Sequence, residues 1–330
     1  MNALITGGAG FIGSHLAETL LERDHTVAII GDLSTGSLRN IERLIGRPGF
    51  SHTIDTVLNR PLMEKMIADA DAIYHLAAAV GVKLIVESPI KTISTNIGTT
   101  ELVLEIASRD KKWVLITSTS EVYGKLSTNT FSEDDDLVLG PTSRSRWSYA
   151  ASKIIDEFLA MSYYKERGLP VVVARLFNTI GLRQTGRYGM VVPRFIQQAM
   201  LGEPITVYGD GKQRRSFTWV GDVVEALINL TNHPDAQGRV FNVGHTKDIS
   251  IFELAVLIKS LTGSTSDIRL IPYEQAYESG FEDIRRRVPD ISRIQRLFGY
   301  NPSLDLADML EGIIEHERSK IQAIKEASKP

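Results

Sequence analysis

The 330-residue chain contains no cysteine, which excludes disulfide frameworks, thiolate metal sites and cysteine nucleophiles. Its histidines, His15, His25, His52, His75, His233, His245 and His316, show no metal-ligand spacing, so no metal site is expected. Charge of either sign is nearly balanced, 37 Lys and Arg against 40 Asp and Glu. A basic run such as Arg285-Arg286-Arg287 is too short for a polyelectrolyte site, and nucleic acid is not an expected partner. No apolar run approaches the length that spans a bilayer, and no signal-like segment precedes the first strand. Cytoplasm is the expected compartment, with no membrane partner. Internal repeats and low-complexity tracts are also lacking.

What is present is a chain that is 43% hydrophobic, long enough to bury a large core as one sizeable α/β unit with a smaller lobe. Apolar strand candidates run Asn2 to Thr6, Thr26 to Gly31, Ala72 to Leu76, Trp113 to Ser118 and Val171 to Leu176, with a weaker one at Ser51 to Ile54. Helical patterns fall between them, at Phe11 to Glu22, Arg60 to Ala68, Pro89 to Ser108 and Ser148 to Arg167. Short, almost uninterrupted apolar strands separated by helices imply a parallel sheet covered on both faces, with ligands at the carboxyl ends of the strands. The fold class read from this is α/β, a Rossmann-type doubly wound parallel sheet. From about Ile180 the pattern loosens, punctuated by Gly181, Gly186, Gly189, Pro193 and Pro204. Residues 1–179 are expected to form the dinucleotide-binding domain. Residues 180–330 form mainly a substrate-binding lobe, interleaved with the last part of the sheet.

The first strand runs into Gly7-Gly8-Ala9-Gly10-Phe11-Ile12-Gly13 and then a helix, the context a phosphate-binding glycine motif needs. Gly7, Gly10 and Gly13 let the backbone approach a pyrophosphate at the helix N-terminus, with Phe11 and Ile12 supplying amides. The second strand ends at Asp32, nineteen residues beyond Gly13, where a carboxylate can hold the adenosine ribose hydroxyls and repel a 2′-phosphate. This favours NAD over NADP. Leu76-Ala77-Ala78 follows the fourth strand, and its small residues are expected to let the backbone lie against the same cofactor.

Two segments carry the chemistry: Ser118-Thr119-Ser120-Glu121-Val122-Tyr123-Gly124 and Tyr149-Ala150-Ala151-Ser152-Lys153. At i and i+4 of a helix, Tyr149 and Lys153 share a face. A cation there is expected to draw the phenol down from its reference near ~10 towards the working range of a general base. Alone, this spacing is more often solvated helix surface than a site; the glycine motif changes the balance.

Together with Ala174-Arg175-Leu176-Phe177-Asn178-Thr179, Gly202-Glu203-Pro204-Ile205-Thr206-Val207-Tyr208-Gly209-Asp210-Gly211, Arg215-Ser216-Phe217-Thr218-Trp219-Val220 and Arg287-Val288-Pro289-Asp290-Ile291, these motifs resemble the extended short-chain dehydrogenase/reductases. The resemblance covers almost the whole chain and points to the nucleotide-sugar epimerase, dehydratase and decarboxylase branch. It implies bound and recycled NAD and a nucleotide-diphosphate sugar as partner, expected to be a UDP-sugar. Tyr149 and Lys153 would then contact both cofactor and chemistry, with Thr119, Ser120 and Glu121 beside the sugar. Asp55 resembles the residue that meets the adenine amino group. Arg215 and Arg287 resemble the arginines that clamp the diphosphate, which suits a guanidinium fork. Asn178 resembles the asparagine that donates there, and Tyr208 and Val192 sit where uracil and its ribose pack. Arg183, Arg187 and Arg194 are further candidate contacts. The resemblance also implies a homodimer through the helices Pro89 to Ser108 and Ser148 to Arg167, with Ile93, Leu104, Ile155 and Leu159 as exposed apolar residues.

Oxidation at the sugar's fourth carbon feeds several reactions, and the residues beside the hydroxyl choose among them. In this branch, 4-epimerases carry a small or hydrophobic residue where Glu121 stands, and 4,6-dehydratases carry an Asp-Glu pair. Here the pair reads Ser120-Glu121, and serine is a very poor acid. The Thr-Ser-Glu arrangement and Arg287-x-Pro289-Asp290-Ile291 resemble UDP-glucuronate decarboxylases, which form UDP-xylose. Where those enzymes carry a Ser-Pro-Pro-type segment, this chain has Ala79-Val80-Gly81-Val82-Lys83, whose Lys83 offers a cation for a carboxylate. The sequence ranks decarboxylase first, 4-epimerase second and dehydratase third, with an NAD-sensing binding module as the non-enzymatic alternative.

Overall fold

The computed structural model describes residues 1–81, 88–186, 190–276 and 283–327, with side chains as far as residue 320. Lys83 and Arg187 lie outside the described residues.

Seven parallel strands form the central sheet, in the spatial order Arg239–Val243, Val171–Leu176, Trp113–Thr119, Ala72–His75, Asn2–Thr6, Thr26–Ile30 and Phe50–Thr53. Strands Ala72–His75 and Val171–Leu176 are buried almost throughout, as a sheet covered on both faces requires. One face packs on helices Phe11–Glu22 and Val220–Asn232 around Leu16, Leu20, Val224 and Leu227. The other packs on Arg60–Ala68, Pro89–Arg109 and Trp147–Arg167 around Ile67, Val103, Leu104 and Ala160. Residues beyond 179 return to this unit, because Arg239–Val243 pairs with Val171–Leu176 at the sheet edge.

The strand order reverses between Asn2–Thr6 and Ala72–His75, each chain segment then leaving the sheet in the opposite direction. A crevice forms outside the carboxyl ends of strands at such a reversal. A second core covers it, in which Phe195 and Ile196 of helix Val191–Leu201 pack with Leu254 and Ile258 of helix Ile251–Thr262. That helix starts at a capping box: Ser250 accepts from the Glu253 amide and Glu253 accepts from the Ser250 amide, satisfying two otherwise orphaned donors.

One expectation about the helix pair needs correction. Leu104 is fully buried and Leu159 is partly buried against the core, because the apolar stripe of each helix that includes them faces the sheet. Ile90, Ile93, Ile155 and Phe158 are exposed instead.

Candidate active site

A cleft of about 450 Å³ opens at the strand reversal and runs from the glycine loop to the second lobe. Its floor is set by the loop's tightness. Gly7 takes a φ of +72°, and a Cβ on Gly13 would lie 2.4 Å from the Gly7 carbonyl oxygen, so any side chain there would break the turn. Gly10 begins helix Phe11–Glu22, which has no side-chain cap and no acidic residue in its first turn. Its leading amides are therefore available to an anion, and Gly10, Phe11, Ile12 and Gly13 all line the cleft. Leu76, Ala77 and Ala78 line the adjoining wall, where the Thr6 hydroxyl accepts from the Ala77 amide at 3.2 Å. This glycine cradle fits a dinucleotide's pyrophosphate.

Asp32 and Asp55 stand outside the cleft-lining residues. Asp32 follows Gly31, whose Cβ would sit 3.6 Å from Gly7 Cα, so it belongs to the rim beside the glycine loop. Burial alone would raise its carboxyl, but hydrogen bonds from Ser34 hold it below the usual range. Asp55 is engaged locally, accepting from the Thr56 amide at 2.7 Å and from Asn59 Nδ2 at 2.8 Å.

Tyr149 sits in the first turn of Trp147–Arg167, buried at the cleft wall, with Lys153 fully buried one turn further on. The expected depression of the phenol is not found. Burial raises Tyr149 well above its ordinary value, and the negative charges of Glu121 and Asp156 add to this, outweighing a hydrogen bond with Thr119 and the charge of Arg287. Lys153 Nζ donates to Asp156 Oδ2 at 2.7 Å, so the cation is already compensated.

Strand Trp113–Thr119 delivers Thr119 to the cleft, and a tight turn over Ser120–Tyr123 then aims Glu121 at two arginines. Glu121 Oε2 accepts from Arg146 Nη1 at 2.9 Å and Oε1 from Arg287 Nη1 at 2.8 Å. Burial would raise this carboxyl, but Arg146 and then Arg287 bring it down to about 2. Arg287 Nη2 also donates to Asn178 Oδ1 at 2.6 Å, and Asn178 is fixed by donating to the Ser216 carbonyl at 2.8 Å. Arg287 Nε is buried with no partner.

Arg215 is buried beside them, donating to the Ile284 carbonyl at 2.6 Å and to Asp283 Oδ1 at 2.7 Å. Arg146 reaches Asp283 Oδ1 at 3.5 Å, and the Tyr273 hydroxyl donates to Asp283 Oδ2 at 3.0 Å. At the far end, Arg194 lies over the Tyr208 ring at 4.1 Å, next to Val192. Arg183 is turned away, pairing with Glu18 and Ser14.

The structure thus brings Gly7, Gly10, Phe11, Ile12, Gly13, Leu76, Ala77, Ala78, Thr119, Ser120, Glu121, Tyr149, Asn178, Val192, Tyr208, Arg215 and Arg287 to one cleft, with Lys153 behind Tyr149. Sequence reasoning missed Arg146, Asp283 and Tyr273. Arg146 stands three residues before Tyr149, which was the only available signal.

A nucleotide cradle at the crossover, facing a tyrosine-lysine helix and closed by a cationic lobe, is the plan of an extended short-chain dehydrogenase/reductase that modifies nucleotide sugars. The chain belongs to the GDP-mannose 4,6 dehydratase family, whose model matches residues 4–313. It is similar to the UDP-N-acetyl-alpha-D-glucosaminuronate decarboxylase of Bacillus cytotoxicus, 42% identical over 313 residues, 94% of this chain and 96% of that one. It also resembles UDP-glucuronic acid decarboxylase 1 of Danio rerio, 38% identical over 95% of this chain and 72% of the other. Among solved structures, the UDP-glucuronic acid 4-epimerase of Bacillus cereus in complex with UDP-glucuronic acid and NAD superposes with a TM-score of 0.87. It is 30% identical and covers 97% of this chain and 100% of that one.

Proposed function

We propose that the protein is an NAD-dependent decarboxylase of a UDP-linked uronic acid, with UDP-glucuronate as substrate and UDP-xylose as product. The observation that carries this reading is Glu121 held between Arg146 and Arg287. Its carboxyl is brought down to about 2, so it stays ionised and is no proton donor in the resting site. Ser120 beside it is no acid either, so the group that dehydration requires for a leaving hydroxyl is missing. Decarboxylation needs no such acid. Arg146, Arg287 and Arg215 stand against Glu121 and Asp283, an excess of one positive charge that suits an anionic nucleotide-diphosphate sugar.

NAD, held by the glycine cradle and the Asp32 rim, supplies a reversible hydride acceptor for the sugar's fourth carbon. Tyr149 acts as the phenolate, having first lost its own proton to solvent. That loss is favoured by the positive charge of the oxidised cofactor, against the raising effect of burial. The phenolate then takes the proton from the 4-hydroxyl. The resulting 4-ketone makes the C5 carboxylate a β-keto acid: the C5–C6 bond breaks, carbon dioxide leaves, and the electron pair moves into the C4–C5 enolate. The Glu121 carboxylate holds Arg146 at the ring, where its positive charge stabilises that enolate, and holds Arg287 towards the diphosphate. C5 then takes a proton from solvent, C4 regains the hydride it gave up, and Tyr149 returns its proton to the C4 oxygen. The likeness to the Bacillus cereus 4-epimerase supports 4-epimerisation as a second reading, which shares every step up to the ketone. Incubating the chain with UDP-, GDP- and dTDP-sugars and reading products by mass spectrometry tests the assignment.

Asp32→Ala should weaken NAD binding about tenfold and narrow its advantage over NADP, since the ribose acceptor and the repulsive charge vanish together. Calorimetric titration with both cofactors checks this, and unchanged affinity for both would remove Asp32 from the site. No helix among the described residues is long and apolar enough to cross a membrane, and cytoplasm is the compartment we assign. A homodimer is expected through Ile90, Ile93, Ile155 and Phe158, exposed on the two packed helices. Light scattering should give twice the chain mass at micromolar concentration. Phe158→Asp should shift the protein towards monomer, whereas a wild-type monomer would contradict the assignment.

A further inference from the structure

Asp156 lies on the active-site helix yet has no part in the chemistry so far described. It is completely buried, and its Oδ2 accepts from Lys153 Nζ at 2.7 Å. Its Oδ1 has no hydrogen-bond partner. Burial raises the carboxyl against the opposing charge and hydrogen bond of Lys153, which favour the ionised form. The Thr100 hydroxyl beside it is shared with His75 Nε2, 3.1 Å away, and His75 Nδ1 meets Thr6 Oγ1 at 2.8 Å. A buried carboxylate with one oxygen unanswered is expensive to keep.

The surroundings leave the charge of Asp156 directed at the tyrosine-lysine pair. On its own helix, Glu157 is answered by Arg175 of the neighbouring strand at 2.7 Å. From strand Ala72–His75 comes His75, which burial holds at about 3 and therefore neutral. From helix Pro89–Arg109 comes the uncharged Thr100. Around Tyr149 the remaining charges are Glu121, Arg146 and Arg287, joined in one ion-pair cluster.

We propose that Asp156 is a positioning residue that sets the acid–base balance of Tyr149. By compensating Lys153 from the buried side, it withholds the cation that would otherwise favour the phenolate. Tyr149 must be a base when the sugar is oxidised and an acid when the ketone is reduced. A bare lysine would favour only the first role, and Asp156 restores the second. This inference rests on Tyr149 being the proton-transfer group of the reading above.

The test compares the pH dependence of kcat/KM for wild type, Asp156→Asn and Asp156→Glu with that of Tyr149→Phe. It is accompanied by a carbon-13 NMR titration of the Tyr149 phenol in NAD-saturated protein. In Asp156→Asn, the acid limb and the phenol titration should both move down by about one pH unit, the scale of losing a nearby like charge. Asp156→Glu keeps the charge and should keep the limb near its wild-type position. An unmoved limb and phenol titration in folded Asp156→Asn would reduce Asp156 to a structural partner of Lys153. Should Asp156→Asn fail to melt cooperatively, the Asp156 carboxyl resonance of the wild type decides. It must report an ionised group across the active pH range, and a protonated one there overturns the inference. A fully active Tyr149→Phe would instead overturn the underlying assignment of the base, so the two failures are distinguishable.

Discussion

Tyr149→Phe should lower kcat by roughly a thousandfold or more, within the range for losing a positioned acid–base group, while NAD affinity stays nearly unchanged. The phenol is buried at the cleft wall on helix Trp147–Arg167, a different element from the glycine loop. Its removal takes away the proton acceptor and leaves the cradle of Gly7, Gly10 and Gly13 intact. Phenylalanine fills the same volume in the first helical turn, so stability should barely move. Stopped-flow measurement of nicotinamide reduction, with calorimetry for NAD, separates the two effects. A variant with near-normal rate would show that another group takes the proton.

Glu121→Gln should be almost as damaging, for a different reason. The wild-type carboxylate answers Arg146 and Arg287 together, with all three side chains largely buried. An amide cannot neutralise either guanidinium. Leaving partners of a buried ion pair uncompensated costs roughly 3–5 kcal/mol, so a lowered melting temperature is expected. The catalytic loss should exceed what misfolding explains. We expect kcat to fall ~100-fold or more, as when a preorganised electrostatic group is removed, with a smaller change in KM. If KM rose and kcat held, Glu121 would serve binding alone.

Parts of this arrangement were legible in the sequence for definite reasons. Helices Phe11–Glu22 and Arg60–Ala68 and strand Val171–Leu176 match their sequence patterns to the residue, because buried parallel strands are uninterrupted apolar runs and the helices carry clear boundaries. The edge strand Arg239–Val243 was not read, since an exposed Arg239 and a buried polar Asn242 interrupt its apolar pattern. Helix Val220–Asn232 was missed although its buried Val220, Val223, Val224, Leu227 and Thr231 recur at helical spacing, a period the sequence does carry. In the site, Arg146 and Arg287 meet at Glu121 from separate parts of the chain, a pairing that no local pattern encodes. The phenol was misjudged because the i, i+4 spacing shows Lys153 beside Tyr149. It does not show that Lys153 turns inward to Asp156, which only burial decides.

The central claim, that this cleft removes the carboxylate of a UDP-linked uronic acid through a 4-keto sugar, is tested most directly by following UDP-glucuronate with purified protein and catalytic NAD. Mass spectrometry of the nucleotide sugar would be run alongside detection of released carbon dioxide. The account predicts a UDP-pentose lighter by one carbon dioxide, an equimolar amount of gas and no net consumption of NAD. A product of unchanged mass without gas release would contradict decarboxylation and make the chain an epimerase.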